Sequence, residues 1–74
     1  MYDEMTRISL LSYDAFTVEA STLFRNWMNA VGKVRKEDAR DALYAFMRLW
    51  HLNQPKRRNL AQAWLDGAFL KVSE

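Results

Sequence analysis

A hydroxyl nucleophile needs a base beside it, and His51 is the only imidazole this chain can supply. It falls at the end of an expected helix, seven positions before Arg58, where an imidazole is ordinarily a capping or surface group. Cysteine is absent, which excludes thiolate nucleophiles, disulfides and thiolate metal sites. A single histidine excludes an imidazole-rich zinc site as well. Glu37 and Asp41 stand at i, i+4, but carboxylates near a helix start favour the dipole and are usually solvated. No glycine-rich segment offers a phosphate cradle. The residues therefore point to a non-enzymatic chain without metal or cofactor, one that acts through its surfaces.

Three constellations suit binding. Lys56, Arg57 and Arg58 open the last expected helix, where cations oppose the dipole, and Arg48 and His51 close the helix before it. This basic corner suits phosphate or an acidic protein surface, against the plainer reading that its charges keep the protein soluble. Arg40, Tyr44 and Arg48 recur at i, i+4, i+8. They read either as a surface cation–π ladder or as an anchor of the Tyr and Arg type that dominates binding hot spots. Leu60, Ala63, Gly67 and Leu70 form a shallow groove on one helix face. A glycine inside a helix costs up to ~1 kcal/mol against alanine, and close approach of another helix, from this chain or a partner, is a reason to keep it.

The elements that must position these residues are helical. One proline and two glycines leave few breakers, so long helices with short turns are expected. The boundaries read as 3–12, 15–31, 36–52 and 55–72 within one domain of residues 1–74. The first of these segments could also be an extended arm. In the second helix Phe16, Ala20, Leu23, Phe24, Trp27, Ala30 and Val31 make an apolar stripe, with Ser21, Arg25 and Asn29 opposite. That helix is expected to start at Asp14 or Thr17 and to end on a left-handed Gly32. The third helix should bury Ala39, Ala42, Leu43, Phe46, Leu49 and Trp50, with Met47 at the border, and should carry Glu37 and Asp38 in its first turn. Pro55 is pre-organised to open the fourth. There Ala61, Trp64, Leu65, Ala68 and Val72 make one stripe, and the Leu60–Leu70 set makes a second. Trp27, Phe46, Trp50 and Trp64 are expected to meet in the core.

The predicted fold class is all-α, a small three- or four-helix bundle. Half of the 74 residues are hydrophobic and ten are aromatic. That apolar supply is large for a short chain without a staple, and it predicts a homodimer. No segment approaches the roughly twenty apolar residues of a membrane span. The acidic start Met1-Tyr2-Asp3-Glu4 is unlike a secretory signal, so a cytoplasmic location is expected. Net charge is −2 over residues 1–32 and +4 over 33–74, a modest attraction for anionic partners. The sequence thus predicts a protein-binding regulator, adaptor or inhibitor, of a type common among phage- and plasmid-encoded factors. The alternative is a nucleic-acid-binding regulator with a helix-turn-helix-like unit at 43–66, reading bases through Asn59, Gln62 and Asp66. Against it stand a turn without glycine and a small net charge.

Overall fold

Asp3 acts as a helix cap: its Oδ1 accepts the Thr6 backbone N–H at 2.7 Å, satisfying a donor that a helix start leaves unpaired. The computed structural model describes residues 3–73. Within them four helices follow in order: α1 Glu4–Ser9, α2 Tyr13–Asn29, α3 Lys33–His51 and α4 Pro55–Ser73. The all-helical expectation holds in its four-helix form. Met1, Tyr2 and Glu74 of the expected domain lie outside the described residues.

Several helix ends differ from expectation, and α1 stops at Ser9 rather than at residue 12. Ser12 rather than Asp14 or Thr17 caps α2, its Oγ accepting the Ala15 N–H at 3.2 Å; Thr17 instead turns its hydroxyl back to the Asp14 carbonyl. At the far end α2 stops at Asn29, because Ala30 is already extended. Gly32 has φ 93° and ψ 146°, outside the left-handed helical well, and it starts α3 instead of closing α2. Its carbonyl accepts the Lys36 N–H at 3.0 Å. The earlier start places Lys33, Arg35 and Lys36 in or next to the first turn of α3, and no acid shares that turn. Glu37 and Asp38 fall one turn later than expected. Arg48 and His51 close α3 and Pro55 opens α4, both as expected.

α3 is the central helix and packs against α1, α2 and α4. Its buried stripe is Leu43, Phe46, Met47 and Trp50. Met47 therefore belongs to the core, while Ala42 is exposed and Ala39 and Leu49 are half-buried. The stripe has turned because α3 must cover neighbours on several sides. Phe16 of α2, fully buried, is the hub of the core. Its ring stacks on Trp50 at 4.1 Å and on Phe46 at 5.4 Å, and meets Trp64 edge-on at 6.1 Å. Such aromatic pairs add about 0.5–1.5 kcal/mol each beyond the area they bury. Of the four aromatics expected at the centre, Phe46 and Trp50 are there. Trp27 and Trp64 are half-buried at its edge. Val31 and Val72, assigned to apolar stripes, lie in the open.

The bundle is a slab, 35 × 26 × 17 Å. Its radius of gyration is 12.5 Å, against about 11.3 Å for a compact domain of this length. A monomer of this mass ordinarily exposes about 4,800 Å², whereas this chain exposes 5590 Å². The excess is roughly 800 Å², about what one partner buries in a standard protein–protein interface. No helix among the described residues is long and apolar enough to cross a membrane.

Candidate partner-binding surfaces

The basic corner divides into two kinds of residue. Arg57 points inward: its Nη1 donates to the Ser9 carbonyl at 2.7 Å and to the Trp50 carbonyl at 3.0 Å. Its guanidinium carbon lies 4.8 Å from the centre of a Trp50 ring. One side chain of α4 thereby pins the ends of α1 and α3, satisfying carbonyls that a helix end leaves free. Trp50 adds a bond of its own, its Nε1 donating to the Leu11 carbonyl at 2.9 Å. Lys56 and Arg58 are exposed. Anions in the first turn of α4 would suit the helix dipole, but replacing Arg57 along with its neighbours would also remove its bonds to Ser9 and Trp50.

Arg58 looks the other way, into an open cleft of about 790 Å³ between α3 and α4. Tyr44, Arg48 and His51 line it from α3, and Asn59 and Gln62 line it from α4. The Arg40–Tyr44–Arg48 ladder does not form as a cation–π stack. Arg40 instead holds the carboxylate of Asp41 at 3.1 Å, and the Tyr44 ring sits 6.2 Å from Trp27. Among the described residues the one cation–π contact is Arg57 over Trp50. Arg48 and Tyr44 do share the α3–α4 cleft, so the structure joins part of the ladder to part of the corner. Gln62 donates to Asp66 at 3.0 Å, which occupies one of the amides proposed to read bases.

The second face of α4 stays uncovered. Leu60 is 46% and Leu70 67% exposed. Ala63 and Gly67 form one wall of a groove of about 490 Å³ between α2 and α4, with Trp64 and Ala68 beside them. Phe24 and Met28 of α2 supply the facing wall. A Cβ added at Gly67 would meet nothing within 4 Å, so packing within this chain does not require the glycine. Arg25 on the α2 side and Lys71 on the α4 side flank the groove, and among the described residues no carboxylate lines it. Neither cation is in an ion pair among the described residues. The sequence reading missed Arg25 and Met28, having placed Arg25 on a plain polar face. The signal was Met28 at i+4 from Phe24, which widens the stripe of α2 towards α4.

At the opposite edge Arg7 bridges Glu4 at 2.6 Å and Glu19 at 2.8 Å, tying α1 to α2. Glu4 is held below the ordinary carboxylate range by its hydrogen bond from Arg7, and Arg7 is held above its ordinary value by Glu4 first and then Glu19. Both partners stand well in solvent, so this bridge orients α1 more than it stabilises it. No three His, Asp or Glu side chains gather as a metal site among the described residues. No family model, curated protein or solved structure matches this chain.

Proposed function

We propose that the chain is a non-enzymatic protein-binding module, a small regulator, adaptor or inhibitor that lays helix faces on a partner protein. The surplus of roughly 800 Å² of surface carries this reading, because it equals one side of a standard interface. Part of the outer surface is apolar, with Leu60, Leu70 and Val72 of α4 exposed, and an apolar face left bare on a small domain suits a partner. The test immobilises the wild-type chain beside two variants, Gly67→Leu in the α2–α4 groove and Arg48→Glu/Arg58→Glu in the α3–α4 cleft. The expected outcome is a protein retained by the wild type, lost on one variant, and rebound saturably once purified. Retention that neither variant alters would overturn the reading.

A nucleic-acid-binding alternative draws on one observation, the meeting of Arg48, His51, Arg58, Asn59 and Gln62 in the α3–α4 cleft. Asp66 weakens it by placing a carboxylate beside Gln62. Binding to random duplex DNA across a salt series decides. A steep fall in affinity, with a log–log slope of about −0.9 per phosphate neutralised, supports the alternative. No binding at low salt removes it.

A further inference from the structure

We infer that the α2–α4 groove takes an acidic amphipathic helix of a partner protein, its apolar stripe on Phe24, Met28 and Trp64 and its carboxylates on Arg25 and Lys71. This deepens the protein-binding reading and rests on it.

Three observations converge. The groove is walled mostly by apolar side chains and opens to solvent, as a site for a helix laid into a groove must. Gly67 carries a helix-interior penalty that nothing within the chain explains, since a Cβ there would meet open space. An approaching backbone explains it, because small residues let two helices come close. The two cations stand on opposite walls with no acid between them among the described residues, so a helix between them meets positive charge on both flanks.

The charges also decide against a second copy of this chain. A two-fold interface sets each patch against itself, so Arg25 and Lys71 of one copy would meet the same two cations of the other, with no carboxylate lining the groove among the described residues to pair with them. Like charges juxtaposed in an interface are unfavourable. A different chain with carboxylates beside its apolar stripe has no such conflict.

The test uses the full chain and three synthetic peptides of about 18 residues, roughly 27 Å when helical. All share leucines at i, i+3, i+4 and i+7, and their flanking positions are all Glu, all Gln or all Lys. Isothermal titration should place the Glu peptide at least ~10-fold tighter than the Gln peptide, with the Lys peptide weakest. The order should invert on Arg25→Glu/Lys71→Glu, and Gly67→Leu should abolish Glu-peptide binding while circular dichroism stays unchanged. Equal affinity for all three peptides overturns the inference. So does a Glu peptide that fails to bind at ~1 mM, or that binds both variants as it binds the wild type. Sedimentation showing a wild-type pair that Gly67→Leu separates makes the occupant a second copy and likewise overturns it. A captured protein that is lost on Gly67→Leu but indifferent to charge reversal would sink the acidic occupant alone and leave the protein-binding reading standing.

Discussion

Arg57 draws the sharpest contrast between neighbouring residues of one type. Its side chain bridges carbonyls of Ser9 and Trp50, whereas Lys56 and Arg58 are exposed on either side of it. Hydrogen bonds from a charged donor contribute about 1.5–3 kcal/mol each, and the exposed half of this site discounts that. Arg57→Ala is therefore expected to lose about 2–3 kcal/mol in chemical denaturation. Lys56→Glu and Arg58→Glu should stay within about 0.5 kcal/mol of wild type. Equal effects at all three positions would show that Arg57 is not a tie. Acid tests the other end of the same junction. Asp3 is held below its ordinary carboxyl range by the Thr6 backbone N–H and then by the Thr6 hydroxyl, and Glu4 by Arg7. Both pKa values are thus lower folded than unfolded. Their stabilisation is complete above the unfolded values of about 3.8 and 4.5 and is lost as pH falls through the folded ones. α1 should loosen in acid before the core does, read as faster exchange of the Thr6 and Arg7 amides. Uniform exchange along the chain would contradict this.

Among the elements, the two glycines should respond in opposite directions. Gly67→Ala adds a methyl group where space is open and removes a helix penalty, so the isolated chain should gain up to ~1 kcal/mol. Gly32 sits at φ 93°, a region that L side chains rarely adopt, and Gly32→Ala should cost about 1–3 kcal/mol although its space is equally open. Thermal melts of the two variants settle both signs. The four helices were legible from periodicity and from the spacing of breakers, because a 3,4 pattern of Phe16, Ala20, Leu23 and Phe24 has one efficient way to bury itself. Their exact ends were less so. Ser12, Asp14 and Thr17 all make plausible caps, and only the path of the chain out of α1 selects Ser12. Gly32 serves either a helix end or a helix start, and the sequence holds no preference between them. Half of the candidate groove was visible as Ala63 and Gly67 on a second face of α4. The other half belongs to α2, and a helix crossing is not written in either helix alone.

At the scale of the molecule, the slab shape turns a modest core into a large exterior. Three helices fan around α3, so Phe16, Leu43 and Leu65 are fully enclosed while much of the outer surface of α4 is not. The sequence showed the apolar surplus in its composition but not where it would lie. Which side of α4 faces outward depends on how α3 turns its own stripe, and Met47 entering the core in place of Ala42 is the sign of that turn. If a different chain covers the surplus, the melting temperature of the isolated protein should not change across a ~100-fold range of concentration. A rise with concentration would restore the homodimer that composition alone suggests.

The three tryptophans occupy three distinct surroundings, and the protein is therefore its own optical reporter. Trp50 is enclosed, with its indole N–H bonded to the Leu11 carbonyl, so its emission follows the integrity of the core. Trp64 lines the α2–α4 groove, and Trp27 lies against Phe24 and Phe69 near it. A quencher dissolved in the buffer reaches these two indoles while sparing Trp50. Occupation of the groove would shield Trp64 without altering the blue, protected component, so ligation and unfolding leave separable signatures in a single emission spectrum. No label is needed to tell a chain whose groove is filled from one that has lost its fold.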